Sequence, residues 1–192
     1  MQGFCDANWG SQVGDAIKDG EEVELFKFRS VSGYLVMRCG GPIAWKAIRQ
    51  GRTSRSTCEA EIRATDEAVK EILSLRHRSV DMNIPDATSP TRLYNDNQGT
   101  VDWSKGTSTK GMRHINLRDC AVRDSIQAKE VDIRHIPGDI NPSDIFTKEL
   151  RDATRFRELR DSFMMSAAKF RTFVSSSSAW ISASWTTGIS SV

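Results

Sequence analysis

The stretch "STCEAEIRATDEAVKEILSL", residues 56 to 75, constrains the fold most, because its periodicity is that of a long helix with one buried face. At about 100° per residue, Ala64, Thr65, Ala68, Val69, Ile72, Leu73 and Leu75 share an apolar arc of roughly 180° with Glu61. Glu59 projects to the other side with Arg63, Asp66 and Lys70, and is expected to face water. It follows Ser56 by three residues, the spacing of a capping box, so its natural role is to bond back to the start of the helix. Glu61 has no such role: a lone carboxylate on an inward face needs a cation, a partner or a metal.

The segments around this helix imply a sheet for it to cover. "GFCDA" (residues 3–7) reads as a short strand, and 10–31 as a long polar connector. "GYLVMRCGG" and "PIAWKA" read as two strands joined by a turn at Gly40-Gly41-Pro42. The helix is expected to run to about Arg78, with a loop over 79–90. "TRLYND" is then a short strand, "NQGTVDWSK" a helix of one to two turns, and "GMRHINLRDCAVRDSIQAK" a longer helix. "EVDIRHIP" alternates with period two and is a strand. "NPSDIFTKELRDATRFRELRDSFMM" reads as one final helix opened by Asn141-Pro142. Three antiparallel strands followed by helix-linked crossovers specify a mixed α/β sheet with helices on its faces.

A chain of 192 residues can bury one domain core, placed at residues 1–165. Residues 166–192 turn serine-rich, lack acids and lose periodicity, so a disordered tail is expected there. Overall charge is nearly balanced, 27 basic against 25 acidic residues, but the basic ones cluster. Lys46, Arg49, Arg52 and Arg55 fall in one acid-free connector, and Lys105, Lys110, Arg113, His114 and Arg118 in another segment, as a phosphate-binding surface requires. Cys5, Cys39, Cys58 and Cys120 show neither a CxxC pair nor zinc spacing and read as reduced thiols of an intracellular protein. No apolar run has the length of a membrane span.

Four acids stand at element ends: Asp6 closes the first strand, Asp96 closes "RLYND", Asp144 opens the last helix, and Glu61 lies in the first turns of the long one. Individually these are a turn residue, an N-cap, a first-turn acid and a solvated carboxylate. Together on one sheet edge, their hard oxygens would hold Mg²⁺ or Mn²⁺, since no His/Cys set competes.

"GFCDANW", "RSVSGYLVMRCGGPIAWKA", "STCEAEIRA", "LYNDNQGTV", "MRHINLR", "IRHIPGDINPSDIFTKEL" and "RFRELRDSF" follow one another as in the C-terminal part of a copia-type LTR retrotransposon Pol polyprotein. They resemble its ribonuclease H domain over about residues 1 to 165. The resemblance implies a ribonuclease H-like mixed five-stranded sheet flanked by helices, with metal-binding carboxylates at Asp6, Glu61, Asp96 and Asp144. The family's helix acid lies in "AE-aliphatic", which is Glu61 in "AEI", the residue the helical projection also singles out.

The implied reaction is endonucleolytic hydrolysis of the RNA strand of an RNA–DNA hybrid. Two ions about 3.5–4 Å apart would bridge the scissile phosphate, with Asp6 and Asp96 holding both and Glu61 and Asp144 one each. His135, shortly before Asp144, would assist proton transfer or product release. Asn97 and Gln98 would contact the minor groove, and Lys46, Arg49, Arg52, Arg55 and Arg113 the phosphates. The implied partners are the hybrid, the reverse transcriptase and the other polyprotein products. The implied location is a cytoplasmic virus-like particle or the nucleus.

Three departures from the family pattern stand out: the longer 10–31 connector, a first strand at residue 3 with no reverse transcriptase expected ahead of it, and the serine-rich tail. They keep open an inactive retrotransposon-derived fragment that at most binds hybrid. A transposase or integrase core shares the fold and would use Glu130, 34 positions after Asp96. Glu130 begins the alternating strand "EVDIRHI", however, and that scheme leaves Glu61 and Asp144 without a role.

Overall fold

The computed structural model describes residues 1–10, 29–84, 89–106 and 117–164. Five strands form a single sheet in the order β3-β2-β1-β4-β5. They are β1 (Gln2–Asn8), β2 (Val31–Arg38), β3 (Gly41–Arg49), β4 (Thr91–Asn95) and β5 (Val131–His135). The first three are antiparallel neighbours, while β4 pairs parallel with both β1 and β5. This is the mixed α/β sheet expected from the element order. Most of the connector over 10–31 and all of the tail over 166–192 lie outside the described residues.

The β2–β3 turn sits one residue earlier than the glycine pair suggests. Cys39 and Gly40 are its central residues, both with positive φ (52° and 78°), the backbone that suits a two-residue hairpin. Gly41 is already in β3.

The long helix, α1, runs Thr57–Asp81. Ala60, Ile62, Ala64, Ala68, Val69 and Ile72 on its buried face pack over the sheet with Cys5, Tyr34, Val36, Leu93 and Ile133. Two further helices, α2 (Gln98–Ser104) and α3 (Leu117–Gln127), add Val101, Trp103 and Val122 to the same core. The opposite face is smaller: Leu35 and Met37 of β2 and Phe4 of β1 pack against Ile145, Phe146 and Phe163. Phe163 closes the last helix, α4 (Ala153–Phe163). Truncating a fully buried Leu35 or Ile72 to alanine would cost about 2–5 kcal/mol in such a core.

The single C-terminal helix expected from "NPSDIFTKELRDATRF" is instead broken. Gly138–Ile140 and Pro142–Phe146 are 3₁₀ turns, and α4 begins only at Ala153. Asn8 Nδ2 donates to the Thr147 carbonyl at 2.9 Å, taking the acceptor that a continuing helix would use. Asp152 then caps a new helix by accepting from the Thr154 N–H at 2.8 Å. Asp144 therefore sits in a tight turn rather than at a helix start.

Candidate active site

Strand register brings the acids together. Because β1 and β4 run parallel with Cys5 opposite Asn95, the next residues, Asp6 and Asp96, emerge side by side at one sheet edge. Alternation sends Phe4 and Asp6 to the face of the 3₁₀ turns, and Cys5 and Ala7 toward α1. Glu61 reaches the same edge from α1, in the layer opposite Asp6. One oxygen from each of Asp6, Glu61 and Asp96 lies within 4.8 Å of the others.

Glu61 and Asp6 are held by hydrogen bonds. Glu61, 6% exposed, accepts the Ala7 N–H on Oε1 at 3.1 Å and Asn95 Nδ2 on Oε2 at 2.9 Å. Burial and the neighbouring Asp6 charge push its pKa up to about 8. The same two causes raise Asp96 above its ordinary value. Asp6, 1% exposed, accepts from Thr147 Oγ1 on Oδ2. Oxygen donors this close, buried and raised in pKa first by desolvation and then by mutual repulsion, have the chemistry of a hard divalent-cation site, and the residues fit Mg²⁺ or Mn²⁺.

Asp144 approaches from the 3₁₀ turn but is not one of the three acids whose oxygens converge. Its Oδ1 bonds Lys148 Nζ at 2.7 Å, and the same ammonium lies 3.5 Å from Asp6 Oδ1. Burial raises Asp144 and Lys148 pulls it back, leaving it above its ordinary value. The turn is seated by Asn141, which is fully buried, donates to the Cys5 carbonyl at 3.1 Å and accepts from the Ser143 N–H. It also lies directly on Gly33, the partner of Asp6 in β2: a Cβ there would come within 2.6 Å of Thr147 Cγ2 and 2.9 Å of Phe146 Cβ. A Cβ on Gly138 would likewise stand 3.0 Å from Asp96 Oδ2.

Ser56 caps the helix, accepting the Glu59 N–H at 3.1 Å, and the Glu59 carboxylate bonds back to the chain just ahead of that cap, but it does not face water. It is 8% exposed, accepts the Arg55 N–H at 2.7 Å and pairs with Arg63 at 2.7 Å. Burial is tolerated because both oxygens are satisfied.

The other sequence candidates divide. His135 is exposed at the end of β5, its Nε2 3.1 Å from the Asp96 carbonyl, beside the acids. Asn97 caps α2, accepting from the Thr100 N–H at 3.0 Å, and Gln98 donates to Asp102 at 2.7 Å, so both side chains already serve the helix. Lys46 and Arg49 are not in a connector: they lie on β3, with Lys46 3.9 Å from Glu67. Arg52 and Arg55 are exposed on the link from β3 to α1. That link is pinned by buried Gln50, which donates to Ser32 Oγ and the Ala60 carbonyl, and by Trp9, which donates to the Ser54 carbonyl. Arg113 lies outside the described residues. A cleft between β3 and α1, lined by Arg49, Arg52, Arg63 and Asp66 among others, contains none of the four acids.

Asn95, Thr147 and Lys148 were not singled out by the sequence reading. Asn95 has a visible signal: a polar residue in phase with buried Leu93 on an inward strand face. Lys148 follows Asp144 by four, a spacing too common to stand out.

No family model matches the chain. It is 29% identical over 149 residues, 77% of its length, to the retrovirus-related Pol polyprotein from transposon TNT 1-94 of Nicotiana tabacum. It is 24% identical over 151 residues to that from transposon RE2 of Arabidopsis thaliana, and 26% over 137 residues to the Ty1-NL2 Gag-Pol polyprotein of Saccharomyces cerevisiae. The chain spans about a tenth of the length of these curated relatives. Among solved structures, it superposes on LC11-RNase H1, isolated from compost, with TM-score 0.53 at 13% identity, covering 76% of this chain and 90% of that one. LC11-RNase H1 in complex with an RNA/DNA hybrid gives 0.50 at 12% identity, covering 76% and 91%. The fold is that of ribonuclease H, and the resemblance to retrotransposon Pol polyproteins read from the sequence is borne out.

Proposed function

For a chain related to retrotransposon Pol polyproteins and folded as a ribonuclease H, we propose metal-dependent endonucleolytic hydrolysis of the RNA strand of RNA–DNA hybrids during reverse transcription. The observation that carries this reading is the convergence of Asp6, Glu61 and Asp96 from two layers onto one sheet edge, with Asp144 beside them. Asp6, Glu61, Asp96 and Asp144 would hold two divalent ions, Mg²⁺ or in their place Mn²⁺, which when bound would lower the pKa of an attacking water and stabilise the leaving oxygen.

The chain's own residues do the rest. The parallel register of β1 and β4 fixes the separation of Asp6 and Asp96. Ala7 N–H and Asn95 hold the Glu61 carboxylate in one orientation, so it loses no freedom on ligation. Asp144 completes the set from its turn. His135, exposed beside Asp96 with Nε2 donating to the Asp96 carbonyl, assists proton transfer or product release. Arg52 and Arg55 supply salt-dependent contacts to phosphates, with Lys46 and Arg49 continuing the basic surface along β3. The partners are the hybrid and, as products of the same polyprotein, the reverse transcriptase and its companions. The location is intracellular, in cytoplasmic particles or the nucleus. No described helix is long and apolar enough to cross a membrane.

The test is cleavage of a hybrid labelled on either strand, with Mg²⁺ and separately Mn²⁺, beside Asp96→Asn. Metal-dependent loss of the RNA strand alone, abolished by the substitution, is expected. A folded protein that binds the hybrid and leaves both strands intact would refute catalysis.

A further inference from the structure

We infer that Lys148 is the resident cation of the Asp6–Asp144 side of this site, so that a first divalent ion binds on Asp6, Glu61 and Asp96 and a second binds only in exchange for the Lys148 ammonium. The inference rests on the proposed metal site and adds the order in which it fills.

Three observations support it. The oxygens of Asp6, Glu61 and Asp96 converge without Asp144. Lys148 Nζ lies 2.7 Å from Asp144 Oδ1 and 3.5 Å from Asp6 Oδ1, bridging the two acids. The Lys148 N–H also donates to the Asp144 carbonyl at 2.9 Å, so the turn that carries Asp144 delivers the ammonium. The lysine side chain is 39% exposed, against 1% for Asp6, so it has a way out toward solvent that the acids lack. An ammonium on a flexible four-carbon stem can leave and stay tethered within reach of the same edge, as a rigid guanidinium fork could not. Without Lys148, Asp6 and Asp144 would face each other as buried like charges, with only the charge of Arg155 left to act on Asp144.

The experiment is Mn²⁺ binding to the full chain, followed by the electron paramagnetic resonance of the free ion, for the wild type, Lys148→Met and Lys148→Arg. The wild type should bind one Mn²⁺ tightly and a second on the order of tenfold more weakly, the effect of one unit charge a few ångströms away at the solvent edge. In Lys148→Met the two affinities should converge, and in Lys148→Arg the second ion should be weaker still. Thermal melts of each variant establish that it is folded. An unchanged gap in folded Lys148→Met, or two equal sites in the wild type, overturns the exchange and leaves the metal site standing. A wild type that binds no Mn²⁺, or an Asp96→Asn variant that keeps the first ion, overturns the metal site and the exchange with it.

Discussion

Asn95 Nδ2 donates to Glu61 Oε2 at 2.9 Å, tying the end of β4 to the first turns of α1 across the buried core. Asn95 is fully buried, and its Oδ1 in turn accepts the Asn97 N–H at 2.7 Å. The amide therefore fixes the carboxylate on one side and the chain that follows Asp96 on the other. Asn95→Ala should lower stability by about 1–3 kcal/mol, because it leaves a buried carboxylate oxygen and a backbone N–H without partners. It should also weaken divalent-cation binding by about 10–100-fold. Urea melts and Mn²⁺ titration of the same variant check both, and wild-type values in either would contradict the role.

The pH dependence follows from Glu61. Its carboxyl is raised from 4.5 to about 8 in the fold, so the folded state prefers the protonated form. Its contribution to stability is complete below about pH 4.5 and is lost as pH rises toward 8, with a slope of at most about 1.4 kcal/mol per pH unit. The metal-free melting temperature should therefore fall across that window in the wild type and fall less in Glu61→Gln. Divalent ions, which need the ionised carboxylate, should bind more tightly as pH rises to about 8 and displace a proton below it. Equal pH profiles for the two proteins would contradict this assignment.

Gly33→Ala places a methyl group 2.6 Å from Thr147 Cγ2 and 2.9 Å from Phe146 Cβ, too close for the turn to stay where it is. The segment carrying Asp144 and Lys148 should lift from β2, at a cost of about 1–3 kcal/mol. Chemical-shift changes at residues 143–148 together with a lowered melting temperature are expected. Unchanged shifts there would show that the turn does not rest on this glycine.

Thiol chemistry should follow burial. Cys5 is fully buried against Thr65 and Tyr94, and burial pushes its thiol up to about 12, whereas Cys39 is exposed on the β2–β3 turn. Of Cys5, Cys39 and Cys58, Cys39 should be alkylated first, and Cys5 only as fast as the protein unfolds. Peptide mass spectrometry after timed alkylation reads this order, and early labelling of Cys5 would contradict the packing of β1.

The parts of the fold legible in the sequence were those governed by local periodicity. The buried face of α1, the alternation of β5 and the run of strands ahead of the long helix are written in spacing alone. So is the separation of Glu59 from Glu61, although Glu59 proved buried because Arg63 and the Arg55 N–H, neither of them part of the apolar arc, satisfy its oxygens. The broken C-terminal helix was not legible. "SDIFTKEL" has the propensity of a helix, and the bonds that stop it, from Asn8 to Thr147 and from Asn141 to Cys5, span more than 130 residues. The position of Lys148 between Asp6 and Asp144 depends on the same break.

The most direct measurement is single-turnover cleavage of an RNA–DNA hybrid by Glu61→Gln and Glu59→Gln beside the wild type, at saturating Mg²⁺. With Glu61 a ligand and Glu59 a support for the helix start, Glu61→Gln should lose cleavage by a factor of at least about 100. Glu59→Gln should lose about 0.5–2 kcal/mol of stability and keep the rate. Glu61→Gln cleaving at the wild-type rate, or Glu59→Gln silencing a folded protein, would contradict the assignment of these two glutamates.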